Sequence, residues 1–406
     1  MRNFWLIATL VLLSSCGCRA ASSEAAPARV VTGAERMDEY LLLLEGRRVG
    51  IVTNQTGIVG AANGLGGAAH LVDTLLARGV RVELVFAPEH GFRGSAAAGA
   101  HVDDSRDEAT GLEIVSLYGA NRKPKAEQIK HLDVVVFDIQ DVGCRFYTYL
   151  STLHYVMEAC AEGGVPLVVL DRPNPNGSYV AGPVLDVAHH GSFVGMHPIP
   201  VVHGMTLGEL ARMINGEGWL SEARRIAGGN LADGRLAKIA TCDLTVVECE
   251  GWTRDARYEL PVAPSPALPN ARAVALYPSL CFFEATAVSV GRGGDAPFQT
   301  LVYPDGTTVD LRTGAPNAPS DDEVIARGLD LSYLLEAFNA SGKGSGFLSP
   351  FFENLIGVSW VREMIEAGAS ANEDAKALAR KIEARWAADV AAFKEQRKPY
   401  LIYEDN

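Results

Sequence analysis

From residue 47 onward, short apolar runs rich in Val, Ile and Leu alternate with longer segments whose apolar residues recur at helical spacing. The short runs at 49–53, 82–86, 113–117, 134–137, 167–170 and 244–247 predict strands, and the segments at 68–77, 151–162 and 206–215 predict helices between them. Runs that are apolar at nearly every position suit strands covered on both faces. The pattern therefore predicts an α/β fold, a parallel sheet covered by helices on both faces. Pro261, Pro264, Pro266 and Pro269 interrupt regular structure, dividing a sheet domain at 33–270 from a smaller α+β domain at 271–406. The second domain is predicted to end in a helix over 373–393 and an extended segment, Tyr400-Leu401-Ile402-Tyr403. No internal repeat is visible.

The amino terminus follows a different rule. Arg2 precedes an apolar stretch at 4–13, and Leu13-Ser14-Ser15-Cys16 has the form of a lipobox. Residues 1–20 are thus expected to be a lipoprotein signal with Cys16 as the lipidated residue, and 21–32 a tether; the alternative is an ordinary secretory signal cleaved near Ala20. Both readings predict export to the cell envelope, with the membrane reached only through a lipid anchor, since the apolar stretch is too short to span a bilayer. Composition adds exclusions. Apolar residues at 48% and charged residues at 21% rule out a disordered or polytopic membrane chain. Lys and Arg number 36 against 49 Asp and Glu, a net charge of −13 that disfavours nucleic acid as a partner. The seven cysteines include no CxxC pair and no zinc-like spacing with His, so no metal is predicted.

In an open α/β sheet, ligands sit beyond the carboxyl ends of the strands. Those junctions are polar here: Thr53-Asn54-Gln55-Thr56-Gly57, Pro88-Glu89-His90-Gly91-Phe92-Arg93-Gly94, Asp138-Ile139-Gln140-Asp141 leading to Arg145-Phe146-Tyr147-Thr148-Tyr149, and Asp171-Arg172-Pro173-Asn174-Pro175. GxSxG, Walker A and HExxH motifs are missing, and Gly291-Arg292-Gly293-Gly294 departs from GxGxxG, so neither a nucleotide nor another cofactor is expected. Carboxylate chemistry remains, for which glycoside cleavage is the natural case. The catalytic candidates are Glu89, Glu284, Asp138 and Asp141. Glu89 stands out because it follows Phe86-Ala87-Pro88 in a Gly-bounded loop that would desolvate a general acid. Asn54, Gln55, His90, Arg93, Gln140, Arg145, Tyr147, Asp171, Asn174, His203 and Arg292 are the candidate substrate contacts, although Asp171 equally suits a loop-shaping role. Glu209, three residues after Thr206, has the spacing of a capping box.

Taken together, these motifs resemble the DUF1343 family, exo-β-N-acetylmuramidases of the NamZ type. The resemblance rests on the junctions above together with Ser116-Leu117-Tyr118-Gly119, Ile199-Pro200-Val201-Val202-His203-Gly204-Met205-Thr206-Leu207-Gly208-Glu209 and Ser289-Val290-Gly291-Arg292-Gly293, and runs from about residue 47 to the end. It implies a Rossmann-like catalytic domain with a smaller C-terminal domain, a cleft without nucleotide, Glu89 as the leading acid, and peptidoglycan-derived saccharides as ligands. The expected reaction releases terminal β-1,4-linked N-acetylmuramic acid from the non-reducing end. The lactyl carboxylate of that sugar calls for a cation such as Arg145 or Arg292. The sequence departs from the family pattern at Ala287, where Asn is usual, at Ala267-Leu268, and at Gln299, where an acid is usual. These departures leave room for a muropeptide-binding lipoprotein without turnover, while an ester or amide hydrolase lacks its nucleophile motif.

Overall fold

The computed structural model describes residues 29–60, 67–93, 104–220, 241–342, 344 and 346–405. The signal expected at 1–20, Cys16 with it, and the tether as far as residue 28 lie outside the described residues. The rest of that tether stretch is already tied to the fold: Val31 exchanges backbone hydrogen bonds with Glu250 at 2.9 and 2.8 Å, and Thr32 caps a short turn, Gly33–Glu35.

Among the described residues the strands are β1 (Val49–Thr53), β2 (Ile58–Val59), β3 (Ala69–His70), β4 (Val82–Ala87), β5 (Ser105–Arg106), β6 (Glu113–Ser116), β7 (Val134–Asp138), β8 (Leu167–Leu170), β9 (Leu244–Val247), β10 (Thr300–Val302) and β11 (Thr308–Asp310). All six expected strands are present to within a residue at either end. Seven strands form one sheet in the order β5-β6-β4-β1-β7-β8-β9. Every pairing in it is parallel except that of β5, the short edge strand. Setting β5 aside, the order is that of a doubly wound Rossmann-like sheet, which reverses direction between β1 and β7.

Side-chain alternation divides the apolar strands between two layers. Val49, Ile51, Val134, Val136, Val168 and Leu170 pack with Tyr40, Leu44, Leu71 and Leu75 from the helices Met37–Leu44 and Leu71–Ala77. Val52, Val135, Phe137, Leu167 and Val169 face the other way, onto Leu153, Val156 and Met157 of the helix Tyr149–Gly163 and Leu210, Met213 and Ile214 of the helix Leu207–Gly216. Each such side chain, fully buried, contributes about 1.5–3 kcal/mol of transfer free energy. The helix Leu207–Gly216 begins at the capping box expected from sequence: Glu209 N donates to Thr206 Oγ1 at 3.2 Å, and Thr206 N to Glu209 Oε2 at 3.0 Å.

The C-terminal part is a smaller unit with the helices Ala271–Leu280, Asp321–Arg327, Ser332–Ala340, Phe351–Ile356, Trp360–Ser370 and Ala375–Arg397 and the β10–β11 hairpin. Phe282, Phe283, Leu334, Phe352 and Ile382 from this part join the same apolar cluster as the second face of the sheet. The C-terminal part therefore docks on the sheet domain through a continuous core. The segment expected to be extended at 400–403 pairs with no strand among the described residues. Lys398–Tyr400 is a 3-10 turn, and the next donors go to buried carboxylates: Ile402 N and Tyr403 N to Glu209 Oε1 at 2.8 and 3.2 Å, and the Tyr403 hydroxyl to Asp171 Oδ2 at 2.7 Å.

Candidate active site

Strand pairing brings the first two site residues together. Ala87 of β4 is in register with Ser116 of β6, and Leu117 N donates to Ala87 O at 2.8 Å. Glu89 and Tyr118, each two residues further on, therefore emerge side by side at the carboxyl edge. Glu89 sits in a tight turn closed by Gly91 N donating to Pro88 O at 3.0 Å. Its third position, His90, is buried with φ at 71°, a left-handed conformation normally left to Gly or Asn. Such a residue costs on the order of 1–3 kcal/mol and persists where its surroundings dictate it. Phe298, also buried, has φ at 56°. Both strained residues line one cavity.

That cavity has a volume of about 350 Å³ and contains Glu89, Glu284, Arg292, Tyr118 and Thr148. Edge-to-face rings form much of its wall: Tyr147 lies 4.9 Å from Tyr149 and 5.7 Å from Tyr277, which lies 4.9 Å from Phe298. Thr148, at the start of the helix Tyr149–Gly163, donates from Oγ1 to Glu89 Oε2 at 2.9 Å. Tyr118 lines the same cavity as Glu89; burial first, and then the Glu89 carboxylate, push its pKa up to about 12. Across the cavity, Arg292 Nε donates to Glu284 Oε1 at 2.6 Å, and its guanidinium rests 4.9 Å from the centre of the Phe298 ring. Burial works against the Arg292 charge, but Glu284 outweighs it and the guanidinium holds its proton more tightly than usual. Phe351, 40% exposed, stands at the rim on the C-terminal helix Phe351–Ile356. The cavity is thus made by both parts of the chain, with a hydroxyl-supported acid on one side and an arginine on the other.

Of the residues singled out in the sequence, the structure brings Glu89, His90, Tyr147, Glu284 and Arg292 to this cavity and places the others elsewhere. Asp138, wholly buried at the end of β7, makes a two-point ion pair with Arg172 at 2.6 and 3.0 Å. That pair fills the β1/β7 crevice, where a doubly wound fold would receive a phosphate. Asp141 accepts from Gly143 N at 2.7 Å, and burial pushes its carboxyl up to about 7. Asn54 donates to the Tyr149 hydroxyl at 2.8 Å, and Gln55 donates to the Ala263 and Pro264 carbonyls at 3.1 Å each. Gln140 donates to the Asp141 and Pro173 carbonyls, and Asn174 to the Met205 carbonyl. Arg93 pairs with Asp107 at 3.0 Å and with Asp73 at 3.6 Å. Arg145, 1% exposed, donates to the carbonyls of Pro183, Ile199 and Leu355, and its burial lowers the pKa to about 9. Asp171 gathers Thr206 Oγ1, Gly208 N and the Tyr403 hydroxyl. His203 accepts from Met205 N, and burial followed by nearby arginines brings its pKa down to about 3. These side chains shape the loops beneath and beside the cavity.

Sequence reasoning assigned no role to Thr148, Tyr118, Tyr277, Phe298 or Phe351. Tyr118 carried a usable signal, since it follows a predicted strand just as Glu89 does. Among the described residues no group of three or more His, Cys, Asp or Glu side chains is arranged to hold a metal ion. A smaller cavity of about 210 Å³ lies between the segment at 175–179 and residues from 254–328. Three of the arginines that line it are engaged, Arg272 with Asp321, Arg254 with Glu209 and Arg257 with Asp322.

Comparison with known proteins agrees with this architecture. Two family models, described as the N-terminal and C-terminal parts of exo-β-N-acetylmuramidase NamZ, match residues 49–272 and residues 275–317 with 322–403. The chain is 33% identical to the peptidoglycan β-N-acetylmuramidase NamZ of Bacillus subtilis, over 92% of either chain. Two crystal structures of DUF1343 family proteins from Bacteroides fragilis are similar to it with TM-scores of 0.77 and 0.71. They are 42% and 29% identical, and each match covers 93% of this chain and 100% and 99% of theirs, respectively.

Proposed function

The chain belongs to the NamZ exo-β-N-acetylmuramidase family of glycoside hydrolases, and on that premise we propose that it releases terminal β-1,4-linked N-acetylmuramic acid from the non-reducing end of peptidoglycan fragments. The observation that carries this reading is the union, in one cavity of about 350 Å³, of a hydroxyl-supported Glu89 and a guanidinium, that of Arg292. Glu89 is the proton donor to the departing glycosidic oxygen. Arg292 is the cation for the lactyl carboxylate, which shares the guanidinium with Glu284 or takes its place. The aromatic wall accepts the apolar faces of the sugar rings. The proposed chemistry calls on side chains and water. The lipoprotein signal expected at 1–20, with Cys16 as its lipidation site, supports a reaction at the cell envelope, beside a wall that would provide the substrate.

The Glu284–Arg292 pair favours one other reading. A second acid held by an arginine is less available for chemistry, as in a protein that binds muropeptides without cleaving them. Product analysis after incubation with an N-acetylmuramyl-β-1,4-N-acetylglucosamine disaccharide separates the two. Release of free N-acetylmuramic acid and N-acetylglucosamine is expected, whereas saturable binding with no release by folded protein rejects the enzyme reading.

A further inference from the structure

Glu89 is held by one hydroxyl group and flanked by a second, from two different elements. Thr148 reaches it from the first turn of the helix Tyr149–Gly163, with Oγ1 2.9 Å from Oε2. Tyr118 stands beside it on the loop after β6, brought there by the pairing of Ala87 with Ser116, and lines the same cavity. Among the other tyrosines of the cavity, the Tyr149 hydroxyl is committed elsewhere, accepting from Asn54 Nδ2 at 2.8 Å and donating to Pro264 O at 3.1 Å. Tyr118 and Thr148 are both only partly buried and both line the cavity, so neither is needed to fill the core.

Resting on the glycosidase reading above, we propose that Tyr118 is a positioning residue for Glu89, acting with Thr148 to fix its carboxyl and to stabilise the charge that forms when its proton leaves. In the reaction, the Glu89 proton passes to the glycosidic oxygen as the bond from that oxygen to the anomeric carbon breaks, its electron pair staying on the oxygen. Glu89 is left as a carboxylate. Water supplies the hydroxyl to the anomeric carbon, and the remaining water proton restores Glu89. A neutral carboxyl gains little from two hydroxyl donors, while a carboxylate gains a charge-assisted hydrogen bond from each. Tyr118 and Thr148 therefore hold Glu89 more strongly in the transition state than in the ground state, which is the condition for raising kcat rather than lowering KM.

The test compares Tyr118→Phe, Thr148→Val and Glu89→Gln with the wild-type protein on the muramyl disaccharide and on a nitrophenyl glycoside of N-acetylmuramic acid, whose leaving group needs little protonation. Tyr118→Phe is expected to lower kcat on the disaccharide about tenfold, the scale of one charge-assisted hydrogen bond, with KM nearly unchanged. The same variant is expected to hydrolyse the nitrophenyl substrate almost as well as wild type, and to add nothing to the defect of Glu89→Gln when the two are combined. Thr148→Val is expected to behave alike. Wild-type kcat in Tyr118→Phe, a rise in KM alone, or equal losses on both substrates each overturn the inference while leaving the glycosidase reading intact. No sugar release by the wild-type protein overturns that reading and this inference together.

Discussion

Arg145 and Arg292 look equivalent in sequence, two arginines near glycine in polar loops, yet their surroundings give them different work. Arg145 links three segments by donating to the carbonyls of Pro183, Ile199 and Leu355. Arg145→Met leaves three buried acceptors without their donor, at about 1–3 kcal/mol each, and is expected to lower the melting temperature steeply. An unchanged melting temperature with a raised KM for the disaccharide would instead make Arg145 the carboxylate clamp. Arg292→Met is expected to do the reverse, raising KM at least tenfold at little cost in stability, the loss of a bidentate charge-assisted contact being worth about 1.5–3 kcal/mol. Buried carboxyls supply a pH signature of their own. Burial raises Asp141 to about 7 and Asp171 to about 6, whereas an unfolded-chain Asp titrates near 3.9. The folded state therefore binds these protons more tightly than the unfolded state. Their contribution is complete below about pH 4 and is lost as the pH rises to about 7. The difference in melting temperature between Asp141→Asn and wild type should grow in favour of Asn across that window; a constant difference contradicts the assignment.

The large elements were legible because their physics is local. β1, β7 and β8 are apolar at nearly every position because both faces are covered, and the Thr206–Glu209 spacing announces a helix start without reference to anything distant. Glu89 was legible for a related reason, as an acid in a glycine-bounded turn after a buried strand. Tyr118 was not, since its meeting with Glu89 depends on β6 lying beside β4, and strand order is not written in either segment. The 400–403 segment misled for the opposite reason: it has strand-like residues, but its donors are drawn to Glu209 and Asp171 rather than to a neighbouring strand. Phe351 also escaped notice, because only the docking of the helix Phe351–Ile356 sets its ring at the cavity rim. Being 40% exposed, it contributes little to the core. Phe351→Ala is expected to raise KM several-fold through loss of sugar stacking, with kcat and melting temperature nearly unchanged. A fall in melting temperature with KM unaltered would show a packing role instead.

At the scale of the molecule, the sheet supplies a rigid edge and the C-terminal part supplies the opposing wall, so the cavity exists only while the two are docked. A continuous apolar cluster and the Asp171–Tyr403 and Glu209–Ile402 contacts maintain that docking. The doubly wound order directs attention to the β1/β7 crevice, but there the Asp138–Arg172 pair occupies the space. The ligand cavity is shifted to the side of β4 and β6, where Glu89 stands. The most direct test of this arrangement is the rate at which Glu89→Gln releases free N-acetylmuramic acid from the muramyl disaccharide, measured beside wild type with binding followed separately. The expected result is retained binding and a fall in turnover of about a hundredfold or more, the scale of general acid catalysis. Turnover near the wild-type rate would move the proton donor away from Glu89 and contradict the account.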